Sequence, residues 1–499
     1  MNHDDIEPEY TDVLIIGAGL SGIGMASHLS RDCPGTTFAL LERRGAIGGT
    51  WDLFRYPGVR SDSDMFTFGY AFRPWNELKV LADGPSIRRY VEDTAREYGI
   101  DKRIRFGVET RHASWSSEQQ CWTVTVSEEH RKRSVVYRCR FLIACTGYYR
   151  HDQGYIPDYA GIERFGGRLI HPQHWPDDLD YRNKRIVVIG SGATAVTLVP
   201  ALANDAAHVT MLQRSPTYIF SIPAHDKISA VLKHVLPERM VYRMARKRNI
   251  KLQRWIYKAA RRWPGQVRNL LLSAARKQLD GHGEPNDFSP AYAPWAQRPC
   301  AVPDGDLFKA IRAGSASVLT DAIDTFTDHG IRLASGKQLD ADIVISATGF
   351  QLQSLGGMTL DVDGQARAAN TLMTYKGVLL QDTPNMAVIF GYANASWTLK
   401  VDLAAHYVCR LLNHMQQRGY STATPKPPPG QILDETILAQ LESGYVQRGK
   451  DAMPRQGRSG YWRVTNNYES DREMLIKAPI DDADLVFAKD GIRTTSTTA

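Results

Sequence analysis

The stretch Asp12-Val-Leu-Ile-Ile-Gly-Ala-Gly-Leu-Ser-Gly22 decides the fold. Its apolar residues 13–16 predict a buried strand that ends in a turn, and the pattern that follows Gly22 is typical of a helix. Gly17, Gly19 and Gly22 have the spacing GxGxxG. The first glycine of this spacing permits a tight turn, the second lets a pyrophosphate approach the backbone, and the third lets the helix pack closely on the strand. The sequence therefore predicts a dinucleotide site at the N-terminus of this helix.

A second strand and an acidic residue strengthen this prediction. The run Phe38-Ala-Leu-Leu is followed by Glu42, twenty residues after Gly22, where a carboxylate can accept hydrogen bonds from a ribose. A glycine-rich turn that binds nothing is the alternative. Strand, glycines, helix, strand and acid in this order argue against that alternative.

Residues 184–214 repeat the same architecture. An apolar strand ends at Gly190, and Gly192 and Ala195 complete the spacing GxGxxA. The next strand, at residues 209–213, is followed by Arg214 where the first copy has Glu42. A guanidinium can bind a 2′-phosphate that a carboxylate would repel, so this copy should prefer NADP over NAD. An exposed cation after a strand, with no ligand, is the alternative for Arg214.

Two more apolar strands, at residues 141–147 and 343–349, end in Thr-Gly turns, and each follows one of the glycine motifs. We expect them to mark the points where the chain crosses between domains. The predicted fold is α/β, with two nested Rossmann-like domains that bind FAD and NADP. The predicted division is an FAD-binding domain at 1–147, an NADP-binding domain at 148–360 with a basic helical insertion at about 222–299, and the second part of the FAD-binding domain at 361–499.

The positive charge of the chain is concentrated in one segment. The net charge is +7, yet residues 226–277 contain 15 Lys and Arg against 2 Asp and Glu, so the rest of the chain is net acidic. This distribution argues against a general nucleic-acid-binding protein.

The basic segment has two interpretations. Apolar residues recur in it at roughly helical spacing, with Lys and Arg between them, as in helices that lie on anionic membranes. A helix packed on the NADP domain, with a solvated basic face, is the alternative. The apolar residues of this pattern are Ile250, Leu252, Trp255, Ile256, Ala259 and Trp263.

The N-terminus has no apolar stretch of the kind found in secretory signals, and the six cysteines include no CxxC pair. We expect a cytoplasmic protein without disulfides and without a metal site. Because a disulfide reductase needs a redox-active cysteine pair, that class is excluded. Molecular oxygen is then the remaining common acceptor for electrons that pass from NADPH to a flavin.

Two separated motifs carry a resemblance to a known family. Residues 48–62 match the pattern GGxWxxxxYPGxxxD, and residues 165–176 match FxGxxxHxxxWP, with Trp175 at the position where amine and sulfide oxygenases usually have Phe or Tyr. The chain thereby resembles class B flavin monooxygenases of the Baeyer–Villiger type. Over nearly its whole length it is similar to the mycobacterial ethionamide-activating monooxygenase subgroup.

The resemblance implies a reaction. In this family NADPH reduces FAD, oxygen adds at flavin C4a, and the resulting peroxyflavin attacks a ketone to give an ester or lactone, with sulfide or thioamide S-oxidation in some members. Arg298 matches the active-site Arg that would hold the anionic oxygen, and Asp62 matches the carboxylate that orients it. The family role of His171 resembles positioning of NADP more than proton transfer. Lipophilic ketones or sulfides are the expected substrates.

The resemblance also implies cofactor contacts. This chain has Gln297 where many relatives have a Lys that grips the 2′-phosphate, so selectivity would depend on Arg214. Beyond the glycines and Glu42, the expected contacts are Ser21, Thr50, Trp51, Asp62 and Thr110 for FAD, and Arg60, Ser61, Asp62, Ser191, Gly192, Ala193, Thr194, Ala195, Gln213 and Arg214 for NADP.

Two other functions are consistent with two dinucleotide sites. One is an N- or S-oxygenase that does not attack ketones, against which Trp175 and Arg298 argue. The other is a flavoprotein redox sensor or membrane-recruited binding module that performs no oxygenation, and it gives no reason for the presence of both Arg298 and Asp62.

Overall fold

The computed structural model describes residues 9–128, 134–392 and 394–489, so most of the acidic N-terminus that bears on a secretory signal lies outside the described residues. The α-helices of these residues are α1 (Leu20–Asp32), α2 (Thr50–Leu53), α3 (Met65–Phe68), α4 (Gly84–Glu97), α5 (Ala193–Leu202), α6 (Lys227–Leu232), α7 (Glu238–Arg262), α8 (Pro264–Leu279), α9 (Asp306–Arg312), α10 (Trp397–Arg418), α11 (Gly444–Gly449) and α12 (Tyr468–Arg472).

Apolar strands around the first glycine motif build the larger sheet. Val13 lies opposite Phe38 on one side and opposite Phe141 on the other, both in parallel register. Val13 is fully buried because a parallel strand covered by chain on both faces has no solvent-facing side. The strands of this sheet are Glu9–Ile16, Phe38–Glu42, Ile104–Phe106, Val108–Ser116, Cys121–Glu128, Ser134–Ala144, Thr359–Val362, Gln365–Arg367, Thr374–Tyr375, Leu379–Leu380 and Met386–Val388.

A second sheet forms around the second motif, and all of its pairings among the described residues are parallel. Its strand order is Ala316–Thr320, His208–Gln213, Arg185–Ile189, Ile343–Ser346, Arg168–Ile170. Shorter two- and three-stranded sheets are formed by Tyr149–Gly154 with Phe350–Leu352, Ile219–Ile222 with Cys300–Pro303, Ile323–Thr327 with Gly330–Leu333 and Gln338–Asp340, Thr422–Pro425 with Leu485–Ala488, and Ile432–Thr436 with Arg455–Gly457.

The chain leaves the first sheet, builds the second and returns. Every strand of the second sheet lies within residues 168–346, and Met386, after the return, lies opposite Leu142 of the first sheet. The two crossings, Tyr149–Gly154 and Phe350–Leu352, pair with each other. The predicted architecture of two nested dinucleotide-binding folds is thus confirmed.

Helix α10 has two buried charged residues in its first turns. It begins at Trp397 and ends where Gly419 adopts a left-handed φ of 66°. The sequence pattern hides its first turns because Lys400 and Asp402 interrupt the apolar periodicity. Both side chains are nevertheless buried, since each has a charged partner inside the fold.

The basic insertion is helical, as expected, and one guanidinium fastens it to the FAD-binding fold. Arg246 of α7 donates hydrogen bonds to three main-chain carbonyl groups around α3, those of Phe66, Thr67 and Gly69, at 2.7–3.1 Å. Its other nitrogen lies 3.1 Å from Asp402 of α10, and both side chains of this pair are about nine-tenths buried. One cation therefore serves four acceptors inside the protein, two of which, Asp402 and the Thr67 carbonyl, also have a second donor.

We expect Arg246→Met to lower the stability of the protein by about 3–5 kcal/mol, because it removes the cationic partner of the buried Asp402 carboxylate and one donor from each of three carbonyls. Arg243→Met, on the exposed face of the same helix, should change stability by no more than about 0.5 kcal/mol. Thermal unfolding of the two purified holoproteins measures the difference. Equal midpoints would show that Arg246 does not anchor the insertion.

Candidate active site

The first glycine motif borders a large cavity. Gly17 has φ of 102°, and a Cβ at this position would lie 2.7 Å from the Cys145 carbonyl oxygen. A Cβ at Gly22 would lie 1.9 Å from the carbonyl oxygen of Gly17. The turn and the start of α1 therefore accept only glycine at both positions.

All five of the side chains expected near FAD on this side line that cavity. It is open to solvent, has a volume of about 230 Å³, and is bordered by Ser21, Glu42, Thr50, Trp51 and Thr110 together with Gly17 and Gly19. The sixth expected contact, Asp62, is not among the lining residues. The sequence pattern located one connected site here.

Glu42 is held in place for a polar ligand. Its two carboxylate oxygens accept hydrogen bonds from the main-chain N–H groups of Ala18, at 2.7 Å, and Arg44, at 2.8 Å. Burial raises the pKa of Glu42, although both hydrogen bonds and the nearby Arg side chains act in the opposite direction. The buried hydroxyl of Thr110, which also lines the cavity, has no hydrogen-bond partner among the described residues. A fixed acceptor and an unsatisfied hydroxyl on the walls of one cavity fit the hydroxyl-rich body of FAD.

Sequence reasoning missed the aromatic wall of the same cavity. Trp397, at the start of α10, donates from its indole nitrogen to the Ser21 hydroxyl at 2.8 Å. Its ring lies 5.2 Å from that of Tyr148, and both residues line the cavity. The sequence around Ser21 could not indicate this contact, because Trp397 lies 376 residues further along the chain.

The second motif has the same local geometry. Gly190 has φ of 138°, and a Cβ there would lie 2.4 Å from the carbonyl oxygen of Ala347. A Cβ at Gly192, immediately before α5, would meet no atom within 4 Å. Ala195, in the first turn of α5, is fully buried. The main-chain N–H groups at the start of α5 are therefore accessible to an anion, as a pyrophosphate requires.

Arg214 is exposed and forms no ion pair with a described carboxylate. Gln213, which we expected to contact NADP, points the other way. Its amide donates to the Asp287 carbonyl at 2.6 Å and to the Thr320 hydroxyl at 2.9 Å, and the side chain is 1% exposed. The side-chain amide of Gln213 is therefore already bonded to the insertion and to a neighbouring strand, and does not extend toward the second glycine motif.

A second cation near this edge was not predicted. The guanidinium of Arg448 lies 3.7 Å from the ring centre of Tyr155 and donates to the Thr348 carbonyl at 3.1 Å. Burial lowers the pKa of Arg448, and the positive charge of Arg214 also lowers it. Thr348 belongs to the turn that ends a central strand of the second sheet, so Arg448 and Arg214 lie on the same side of the second motif.

Arg298 and Asp62 meet as expected. One nitrogen of Arg298 lies 3.2 Å from Asp62 Oδ2, and another donates to the Ala395 carbonyl at 2.8 Å. Burial opposes ionisation of Arg298, yet the charges of Asp62 and Tyr148 outweigh it and raise the pKa of the guanidinium. The guanidinium is not sealed off from solvent, since 41% of the side-chain surface is exposed.

The side chains of two residues that we expected to contact NADP point into the protein. Arg60 forms a two-pronged ion pair with Asp306 of α9, with a shortest distance of 2.5 Å. The Ser61 hydroxyl donates to the Ser63 carbonyl at 2.9 Å, and Ser61 is 2% exposed. Neither side chain is free to bind a ligand in this arrangement, because each is already satisfied by the fold.

Both ring nitrogens of His171 are used. Nε2–H donates to the Gly349 carbonyl at 3.0 Å, and Nδ1 accepts from the main-chain N–H of Gln173 at 3.2 Å. Burial lowers its pKa, so the neutral ring that these bonds require is favoured. His171 thus joins the linker motif to the second Thr-Gly turn and has no nitrogen left for proton transfer.

The geometry agrees with comparisons of the chain with known proteins. Residues 10–417 match the family described as flavin-binding monooxygenase-like. The chain is 58% identical over 484 residues to MymA of Mycobacterium tuberculosis, with 96% of this chain and 98% of MymA covered. It is 51% identical over 483 residues to the FAD-containing monooxygenase EthA of the same organism, with 96% and 98% covered.

Solved structures share the fold. A crystal structure of OTEMO in complex with FAD and NADP has a TM-score of 0.69 at 22% identity and covers 83% of this chain and 88% of its own. An open crystal structure of cyclohexanone monooxygenase has a TM-score of 0.70 at 20% identity, covering 84% and 90%. The resemblance to class B flavin monooxygenases is confirmed, and the chain belongs to the flavin-binding monooxygenase-like family.

Proposed function

We propose that this protein uses NADPH and molecular oxygen to convert lipophilic ketones into esters or lactones, a Baeyer–Villiger oxidation. The observation that carries this proposal is the contact between Arg298 and Asp62. In the overall reaction one oxygen atom enters the ketone and the other leaves as water, while NADPH is oxidised to NADP⁺.

FAD, when bound in the first cavity, supplies the redox chemistry that passes electrons from NADPH to oxygen. The residues of the chain provide its surroundings. The N-terminus of α1 would hold the pyrophosphate, Glu42 the ribose, and Thr110 a polar edge of the cofactor. Tyr148 and Trp397 would exclude water from one side, since their rings pack on each other.

Arg298 would stabilise negative charge on oxygen at the reacting centre. Its raised pKa keeps it cationic throughout the working pH range, and Asp62 and the Ala395 carbonyl fix the plane of the guanidinium. A planar cation held by two partners is prepared to bind an oxyanion without reorganising during the reaction. Attack on a ketone passes through an anionic tetrahedral adduct, so ketone oxidation would depend strongly on this residue.

The second motif would bind NADPH. The crystal structures of OTEMO and of a steroid monooxygenase, which share this fold, contain NADP. In this chain Arg214 is an exposed cation without a carboxylate partner, and Arg448 adds a second positive charge on the same side. These two residues would select the 2′-phosphate in place of the Lys that Gln297 replaces.

His171 would act as a positioning residue and not as an acid or base. Its two hydrogen bonds fix the second Thr-Gly turn against the linker. Gly154 supports this arrangement, because a Cβ at Gly154 would lie 2.1 Å from the imidazole ring. The proposed domain division at residues 147 and 360 places this contact at the two chain crossings.

Oxygenation of sulfides is a second activity of the same proposal. A neutral sulfur atom forms no tetrahedral oxyanion, so this reaction has less need of Arg298. Contact with anionic lipid, the other finer expectation from the sequence, depends on the surface of the insertion and not on the flavin site.

Prediction for the first cavity: Gly22→Ala should abolish FAD retention, because its Cβ would overlap the Gly17 carbonyl. Gly45→Ala is the matched control, since a Cβ at Gly45 meets no atom within 4 Å. FAD content of the two purified proteins is measured by absorbance after denaturation. Full FAD occupancy in Gly22→Ala would remove the first motif from the binding site.

Prediction for cofactor choice: Arg214→Ala and Arg448→Met should each raise the NADPH KM by about tenfold to hundredfold, as expected for a charged hydrogen bond of about 1.5–3 kcal/mol. The KM for NADH should barely change. Arg182→Ala, an exposed Arg whose ion pair with Asp180 lies elsewhere, is the control. An equal loss with both nucleotides would contradict selection of the 2′-phosphate.

Prediction for the reacting centre: Arg298→Ala should lower ester formation by about 10² to 10³-fold, and Arg298→Lys should restore it only in part because a point charge lacks the planar fork. Sulfoxide formation should fall less, and the remaining NADPH oxidation should appear as hydrogen peroxide. The assay measures ester, sulfoxide, NADPH and peroxide together. Unchanged ester yield per NADPH would remove Arg298 from the mechanism.

A further inference from the structure

We infer that helices α6, α7 and α8 form a docking surface for an anionic lipid bilayer. Large apolar side chains are exposed on these helices far more often than elsewhere in the described residues. Nine of the fourteen exposed large apolar side chains lie within residues 228–270. They are Ile228, Val231, Val235, Met240, Met244, Leu252, Trp255, Trp263 and Leu270.

Helix α7 has two different faces. Its inner face is buried against the FAD-binding fold and contains Tyr242, Ala245 and Arg246. Its outer face repeats at the i, i+4, i+7 and i+11 spacing of one helical side, from Met240 through Met244 to residues 247, 251, 255, 258 and 262. Only the inner face of α7 packs against the rest of the protein. The outer face exposes apolar side chains that lie between Lys and Arg residues.

The cations of the outer surface are free to meet negative charge. Arg246, Arg248 and Arg254 are occupied by ion pairs with carboxylates of the protein. Ten exposed Lys and Arg residues between residues 226 and 277 form no ion pair with a described carboxylate. They are Lys227, Arg239, Arg243, Lys247, Lys251, Lys258, Arg261, Arg262, Arg276 and Lys277.

Apolar and basic side chains on one surface match the two layers of a membrane interface. Trp255 is 66% exposed and Leu270 is 69% exposed, and such side chains gain free energy when they enter the boundary between headgroups and acyl chains. The Lys and Arg side chains between them can extend to anionic headgroups. Helix α6 contributes Ile228 and Val231, at i and i+3, and Val235 is exposed in the short segment that follows it.

The contact would be peripheral. No described helix is long and apolar enough to cross a bilayer. Of the apolar residues in the sequence pattern, Ile250, Ile256 and Ala259 are partly or fully buried, whereas Leu252, Trp255 and Trp263 are exposed. Three of these six residues therefore pack within the protein, and the other three are exposed and available to lipid.

The test is co-sedimentation of the holoprotein with vesicles in 0.1 M salt. Vesicles of phosphatidylcholine with a quarter phosphatidylglycerol should bind the protein, and pure phosphatidylcholine should bind it poorly. Because each cation near an anionic surface contributes about fivefold in binding, the triple variant Lys247→Glu, Lys251→Glu, Lys258→Glu should bind at least about a hundredfold less. High salt should release the wild type.

The matched control has the same net charge as the triple variant of the insertion. Lys102→Glu, Lys184→Glu and Lys337→Glu remove three exposed Lys residues outside the insertion, so both triple variants differ from the wild type by the same amount of charge. This control should lose far less vesicle binding than the insertion variant. Equal losses would show that only net charge matters and would overturn the docking surface.

A second pair of variants tests the apolar part. Leu252→Ser with Trp255→Ser should weaken binding to anionic vesicles about tenfold or more, since two exposed apolar side chains no longer enter the interface. Ile432→Ser with Val486→Ser, exposed elsewhere, should have little effect. FAD content and turnover of a small water-soluble ketone should match the wild type in all four variants, which shows that the fold is intact.

Two outcomes would overturn the proposal whatever the flavin site does. One is equal binding of the wild type to neutral and anionic vesicles. The other is displacement from anionic vesicles by an equimolar amount of a double-stranded DNA oligonucleotide, which would identify the surface as a nucleic-acid site. Loss of ketone turnover with normal vesicle binding would instead count against the proposed catalysis alone.

Discussion

The contact of 3.2 Å between Arg298 and Asp62 connects the two halves of this protein. Asp62 lies in the loop after the first glycine motif, whereas Arg298 follows the helical insertion of the second fold. Neither fold alone contains both residues. Three features bring the two charges into contact. They are the nested topology, the anchoring of α7 by Arg246, and the strand Cys300–Pro303, which begins two residues after Arg298.

Much of the fold and part of the site could be predicted from the sequence, because backbone requirements leave local traces. Gly17 and Gly190 occupy positive-φ turns against a neighbouring strand, and no other residue fits there. The side chains of Ser21 and Glu42 then follow from their distance along the chain to those turns. The positions of these residues could be predicted because they depend on local geometry.

The sequence did not show the direction of side chains that have a choice of partners. Arg60 pairs with Asp306, and Gln213 donates to the Asp287 carbonyl, although both were expected to face NADP. Trp397 and Arg448 reach their sites from distant parts of the sequence and have no local motif. Tertiary contacts decide which of several possible directions a long polar side chain takes, and one sequence does not contain that information.

The helical insertion is another region in which the sequence predicts the element but not the contacts of its side chains. Its periodicity predicted helical structure, yet the apolar residues divide between two faces with different tasks. On the inner side of α7, Asn249 and Gln253 donate to Asp64, and Thr67 next to it contacts Ser396, the neighbour of Trp397 in the flavin cavity. The helix with the exposed basic face is therefore two contacts away from the candidate active site.

The central claim is that this site transfers an oxygen atom from O₂ to a carbonyl compound. The most direct measurement is turnover of a long-chain ketone under ¹⁸O₂, with the ester analysed by mass spectrometry and NADPH consumption followed in parallel. We expect one ¹⁸O atom in each ester molecule and one NADPH oxidised for each ester formed. NADPH oxidation that delivers all of the labelled oxygen to hydrogen peroxide, with no labelled ester, would contradict the account.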